Sequence, residues 1–366
     1  TFETPSIQGS SSFAVITDSR TARECRPQMT AYKQTLEAEG LPVYIVSHDW
    51  TTPEQVRDVL RKLYAENALE GCVFIGDVPI AMITKAQHLT SAFKMDERDH
   101  PLHETSVPSD RFYDVNVWLG IDFCDIYEAT GDKKYLAEAE MIWKFIESGT
   151  DDVLGGGIYW CEQKKYSKNT CSNAPGTVYA LKLYAATGDS RYLEQGKRLY
   201  AWTKEHLLDT GDGLYFDNVS LDGNIGRAKF AYNSGQMVQA GALLHKATGD
   251  ESYLKDAQRT AAASYDYFFE EFTPEGGEAF RIIRKGNVWF SAVMVRGLVE
   301  LYRIDGNATY VDAVQRSLDY AWDHARDGHG LFETDFTGAD KQAEKWLLTQ
   351  GAMAEMYGRM SGVGLK

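Results

Sequence analysis

A carboxylate, an amide and an indole fall within five residues of one another in the stretch Phe112-Tyr113-Asp114-Val115-Asn116-Val117-Trp118-Leu119-Gly120. Carboxyl groups at this kind of position can attack an electrophilic carbon or move a proton. An amide and an indole beside them suit a ligand with hydroxyls and a flat apolar face. The same pairing recurs downstream. Gly155-Gly156-Gly157-Ile158-Tyr159-Trp160 leads into Ser167-Lys168-Asn169-Thr170-Cys171-Ser172-Asn173-Ala174-Pro175, and Ala231-Tyr232-Asn233-Ser234-Gly235-Gln236 repeats the theme, with Trp289 following. Any one of these Asn residues reads equally well as a helix cap, and any one aromatic as packing between helices. Their recurrence at the starts of helical patterns points to recognition of sugar hydroxyls.

The elements that must position these residues are helical. The turn Tyr127-Glu128-Ala129-Thr130-Gly131-Asp132 returns around Gly188 and Gly249, and more faintly around Gly306, at spacings of 57, 61 and 57 residues. Gly ends one helix in the left-handed conformation, and Asp or Asn caps the next. A repeat near 60 residues is therefore a helix hairpin with a long return loop. Nine helical patterns follow Tyr113, near 114, 133, 173, 190, 230, 251, 286, 308 and 341. Hairpins of this kind close into an α/α toroid or stack as an open solenoid.

Residues 1–112 read differently. Phe13–Thr17, Val43–Val46 and Cys72–Ile75 are short β-branched runs alternating with helical patterns at 27–39 and 53–65, which predicts parallel strands with crossover helices, a small α/β three-layer segment. Thr52-Pro53-Glu54-Gln55 is a helix start with a capping box. Gly76-Asp77-Val78-Pro79 ends the third strand, and the segment resembles gingipain-like α/β domains there. A peptidase of that kind needs a His and a Cys, for which Cys72 and His88 are the local candidates; a docking or positioning domain is the plainer reading.

Composition narrows the function classes. With 38 Lys and Arg against 53 Asp and Glu, the net charge of −15 argues against nucleic acid and anionic membranes as partners. No apolar run reaches the length of a membrane-spanning helix, and no signal peptide opens the chain. The five Cys lack CxxC spacing; Cys161 and Cys171 could pair, or all could be buried thiols. The eight His show no metal-ligand spacing, so no metal or organic cofactor is expected.

From Tyr113 to about Arg359 the chain resembles glycoside hydrolase family 76, the endo-α-1,6-mannanases. The resemblance rests on Tyr-Asp-x-Asn-x-Trp, the Ala-Thr-Gly-Asp turns, Gly-Gly-Gly-Ile-Tyr-Trp, Lys-Asn-Thr-x-Ser-Asn-Ala-Pro and Tyr-Asn-x-Gly, in that order. It implies a mainly α chain whose residues 113–366 form an (α/α)6-type toroid, complete or incomplete, acting on α-mannan or mannooligosaccharides outside the cell. It also implies a retaining mechanism with two adjacent aspartates. Asp114 takes the place of the nucleophile, and Val115 falls where the acid/base should be. Asn116, Trp118, Tyr159, Trp160, Asn169, Asn173, Tyr232, Asn233, Gln236 and Trp289 become substrate-binding positions.

A retaining pair stands about 5 to 5.5 Å apart. Asp110, Asp122, Asp125 and the pair Asp151-Asp152 are the carboxylates that could stand in for the absent one, but Asp122 lies two helical turns from Asp114, about 12 Å along the axis. The expectation is a weakened hydrolase; the alternative is a silent glycan-binding module on the same fold. Six hairpins require twelve helices and nine are visible, so either residues 80–112 help close the ring or the chain joins two proteins.

Overall fold

The computed structural model describes residues 2–79, 82–83, 88–89 and 110–364, and the chain divides into two compact units, Thr1–Ser109 and Asp110–Lys366. In the first, strands β1 (Phe2–Glu3), β2 (Ser12–Asp18), β3 (Val43–His48) and β4 (Leu69–Ile75) form one sheet in the order β1-β3-β2-β4, with β2, β3 and β4 parallel and β1 antiparallel at the edge. Helices α1 (Ser19–Glu24) and α2 (Arg26–Ala38) follow β2, and α3 (Pro53–Asn67) crosses from β3 to β4. Val15 and Ile45 pack with Met29 of α2; Ala14, Ile16 and Val46 pack with Val56 and Leu63 of α3. Alternating strand residues thus feed opposite layers. The capping box at Thr52 and Gln55 forms as the sequence requires. The pairs β5 (Met82–Ile83) and β6 (His88–Leu89) are antiparallel.

Cys72 is half-buried and burial raises its thiol pKa, the opposite of what a nucleophile needs. The side chain of His88 lies outside the described residues, as does most of the stretch 80–112 for which ring closure was one expectation.

Asp18 is the electrostatic keystone of this unit. Burial alone would raise its carboxyl, but bonds from Thr21, Asp77 and Arg20 hold it at about 2. Because the folded value lies below the ordinary 3.8, its contribution is full above that pH and lost as pH falls toward 2. Asp18→Ala should therefore cost about 2 kcal/mol at neutral pH. Urea unfolding at stepped pH checks this: the gap between parent and variant should close in acid, and a constant gap contradicts the assignment.

The second unit is built of helices, α4 (Tyr113–Thr130), α5 (Lys133–Glu147), α6 (Thr170–Thr187), α7 (Ser190–Leu207), α8 (Ala231–Thr248), α9 (Glu251–Phe268), α10 (Val288–Asp305), α11 (Thr309–His324) and α12 (Leu347–Ser361). Four hairpins share one turn. Gly131, Gly188, Gly249 and Gly306 take φ between +68° and +72°, and Asp132, Asp189 and Asp250 each accept from the backbone N–H two residues on. The inner helices α4, α6, α8 and α10 are all 18 residues long and start in register.

The architecture is the toroid of α/α hairpins expected from the sequence, with nine of twelve helices among the described residues: five inner and four outer. The last helix starts at Leu347 rather than near 341, because Asp335 and Gln342 staple residues 333–342 into a tight loop through bonds to Thr337, Asp340 and Thr334. At the carboxyl ends of the inner helices a cavity of about 740 Å³ is lined by Asp125, Lys182, Gln239, Glu300, Arg303 and Arg359 among others.

Candidate active site

The opposite rim carries the amino ends of the inner helices, overlaid by the sheet β7 (Ser167–Asn169), β8 (Phe216–Ser220) and β9 (Ile225–Lys229). Asp114 sits in the first turn of α4. Its Oδ2 accepts from the indole N–H of Trp160 at 3.1 Å and from the Cys171 thiol at 3.6 Å. Its Oδ1 is buried and has no protein partner. Burial pushes the carboxyl above its ordinary range against the pull of these donors. The result is a carboxylate fixed by one oxygen, with the other enclosed and without a protein partner.

Asp114 is not the only unsatisfied group here. Buried Ser172 Oγ, Asn233 Oδ1 and Gln236 Oε1, at or near the same helix starts, also lack partners. Buried polar atoms are normally bonded, so such a cluster marks a place where a polyhydroxylic ligand could complete the network. Beside it runs an aromatic wall. The Tyr232 ring lies 4.3 Å from Phe290 and 5.9 Å from Trp289, and Trp289 meets Trp118 edge-on at 5.2 Å. The guanidinium of Arg296 lies 5.6 Å from the Trp118 ring and pairs with Glu355, which fixes the wall from below.

The remaining sequence-chosen residues divide by what they touch. Asn116 donates to the Phe112 carbonyl at 2.8 Å and locks the entry to α4. Asn173, fully buried, accepts from Ile158 N–H and donates to the carbonyls of Ile158 and Asn169, so its amide is spent on holding the triple-glycine loop. Asn169 accepts from Ser167 Oγ. Tyr159 is buried, with its hydroxyl donating to Asp151 at 2.8 Å. Val115 is 58% exposed, a hydrocarbon side chain at the surface.

Of the stand-in carboxylates, Asp110, Asp122, Asp125 and Asp151 each lie within 4.0 Å of a cationic side chain. Asp151 pairs with buried Lys168 at 2.8 Å, and against partial desolvation the bonds from Lys168 and Tyr159 hold its carboxyl below the usual range. Asp110 pairs with Lys164 and Asp125 with Lys182. Asp122 lies 3.9 Å from Arg296, down the helix.

The structure adds two residues that sequence reasoning did not single out. Cys171 links Asp114 to the Tyr232 side of the cleft. Asp217 on β8 accepts from Asn218 and Asn233, and its charge reaches Cys171 and Tyr232, the two groups that also feel Asp114. The local signal for Asp217 was its place among aromatics and amides in Tyr215-Phe216-Asp217-Asn218.

Residues 83–279 match the family model described as Glycosyl hydrolase family 76. A family 76 glycoside hydrolase from a bovine Bacteroides thetaiotaomicron strain is 36% identical with a TM-score of 0.67, over 70% of this chain and 56% of that one. A family 76 mannosidase from Bacteroides thetaiotaomicron is 35% identical with a TM-score of 0.66, over 69% of this chain and 71% of that one. An inactive variant of an α-1,6-mannanase from Salegentibacter sp., with two neighbouring aspartates changed to asparagine, was solved with α-1,6-mannotriose; it is 30% identical with a TM-score of 0.62, over 70% of this chain and 77% of that one. Among curated proteins, a mannan endo-1,6-α-mannosidase of Candida albicans is 27% identical over 130 residues, 32% of this chain and 29% of that protein. The match thus spans less than a third of that relative's length.

Proposed function

The chain belongs to glycoside hydrolase family 76, and from that premise we propose that its helical unit binds α-1,6-linked mannan or mannooligosaccharides in the rim cleft and cleaves them slowly, with Asp114 as the nucleophile of a retaining double displacement. The observation that carries this reading is the half-tethered carboxylate: Oδ2 held by Trp160 and Cys171, Oδ1 unpartnered. In the first step Oδ1 would attack the anomeric carbon while the bond to the leaving oxygen breaks and that oxygen takes the electron pair. In the second step water would attack the same carbon and release Asp114. Each step needs a proton moved at the oxygen, and the side chain at 115 is a valine that cannot move one. Solvent must then supply and remove it, which makes turnover slow. Trp118, Tyr232 and Trp289 supply stacking faces, over a floor in which buried Ser172, Asn233 and Gln236 keep unpaired polar atoms. Asn116, Tyr159, Asn169 and Asn173 act behind the cleft as supports. Export follows from this reading, because a polymeric glycan is met outside the cell.

The exposed valine also favours a second reading, glycan binding without turnover. Titration calorimetry and reducing-end release with α-1,6-mannotetraose separate the two. Asp114→Asn should keep binding and abolish the residual release; unchanged release in that variant, or no binding by the parent, defeats the proposal. The same variant should be more stable than the parent at neutral pH. A carboxyl whose folded pKa is raised destabilises the fold where it is ionised, and that penalty disappears as pH drops below its unfolded value.

A further inference from the structure

The side-chain donors that reach Asp114 are poor acids. Trp160 offers an indole N–H and Cys171 a thiol, both to Oδ2. The indole is a donor only, and burial raises the Cys171 thiol well above its ordinary value. Tyr232, which interacts with Cys171, has its hydroxyl raised by burial in the same way. The carboxyl groups are no better placed to give a proton. Asp110, Asp125 and Asp151 each pair with a lysine, which favours the ionised form. Asp122 stands two helical turns from Asp114, and Asp217 accepts from Asn218 and Asn233. Val115, the neighbour of Asp114, is a hydrocarbon.

A retaining transfer needs protons only because of what departs and what arrives. An alcohol must be protonated as it leaves, and water must be deprotonated as it attacks. A group that departs as a stable anion needs no acid, and an acceptor that attacks as an anion needs no base.

We propose that the helical unit is a mannosyl transferase for partners of this kind, moving an α-mannosyl group from a donor with a stable anionic leaving group to a small carboxylate acceptor. This rests on the reading of Asp114 as the nucleophile. In the first half, Asp114 Oδ1 bonds to the anomeric carbon while the bond from that carbon to the leaving atom breaks, and the leaving group takes the electron pair. In the second half, the acceptor anion bonds to the same carbon, and the bond to Oδ1 breaks with its pair returning to the carboxylate. No proton moves in either half, and two inversions retain the α configuration. Valine helps the second half as well, since an aspartate at 115 would repel an incoming anion. Water attacks slowly without a base, so the glycosyl-enzyme persists until an anion arrives.

Fluoride release by the full chain from α-1,6-mannobiosyl fluoride, with and without sodium azide, tests this. Azide stands in for the carboxylate because its glycoside survives in water. The expected result is a stoichiometric burst and a mannobiosyl adduct on the peptide that contains Asp114. Azide should then raise the steady rate by on the order of tenfold or more, recovering part of the 10²- to 10⁴-fold that a base supplies, and the product should be the α-azide. Val115→Asp should turn over without needing azide. A burst and an adduct on Asp114 followed by a rate indifferent to azide overturns the transfer and leaves Asp114 as the nucleophile. If Asp217→Asn then makes that rate azide-dependent, Asp217 is the base that the transfer was taken to lack. Absence of both burst and adduct, or a β-azide product, overturns the nucleophile itself and the transfer with it.

Discussion

Val115→Asp is expected to raise release of reducing ends from α-1,6-mannan by on the order of 10²- to 10⁴-fold, the range that general acid/base assistance supplies. The residue next to Asp114 starts the same helix turn, so a carboxyl there can approach the short separation a retaining pair requires. It would be solvent-facing, whereas Asp114 is half-buried with its Oδ1 enclosed, and the two environments divide the roles. In the variant, the rate should fall in acid as Asp114 takes up a proton, and that limb should lie above the ordinary carboxylate value of 3.8 because burial raises it. Adding Asn at 114 in the same chain should return the rate to background. A Val115→Asp chain that folds, binds mannotetraose and remains inert removes the adjacent-aspartate assignment.

Lys168→Met is expected to destabilise the helical unit by about 1 to 3 kcal/mol, the usual consequence of leaving buried polar groups without a donor; the Asp151 end of the pair is exposed and stays solvated. The Lys168 side chain is fully buried, and its ammonium donates to Asp151 Oδ1 at 2.8 Å and to the carbonyls of Val153 and Gly156 at 2.7 and 2.5 Å, with the Tyr159 ring 4.6 Å away. It stands where a bound cation would stand, and the loop wraps around it. That wrapping demands unusual backbone: Gly155, Gly156 and Gly157 have positive φ, and so does Leu154 at +57°. Methionine matches the length but takes the ammonium donor from the carbonyls of Val153 and Gly156, and from Asp151, which keeps the Tyr159 hydroxyl and the Val153 N–H. The same loop delivers Trp160 to Asp114, so binding should weaken along with stability. Urea unfolding and calorimetry on one preparation check both, and a loss below about 1 kcal/mol would mean the loop holds itself.

The hairpin turns were legible because their determinants are local. A left-handed glycine and an aspartate cap bond within four residues, so the repeat could be read from spacing alone, and helix starts fell within a few residues of their observed places. The exception, α12, follows a loop held by contacts among Glu333, Asp335 and Gln342 rather than by a cap. The single acid at Asp114 was equally plain, since no folding is needed to see a valine beside it.

What the amide and aromatic residues do was not legible, because it depends on which neighbour reaches each first. Asn173 and Asn233 look alike in sequence, yet one spends its amide on Ile158 and Asn169 while the other keeps an oxygen unpaired. Trp160 and Cys171 reach Asp114 from 46 and 57 residues away. The sequence by itself determined the repeat, its turns and the lone carboxylate, through interactions confined to a single helical turn. Only the tertiary structure decided which polar side chains spend their hydrogen bonds on the loops and which keep a buried atom unpaired, because burial and pairing are settled by packing between distant segments.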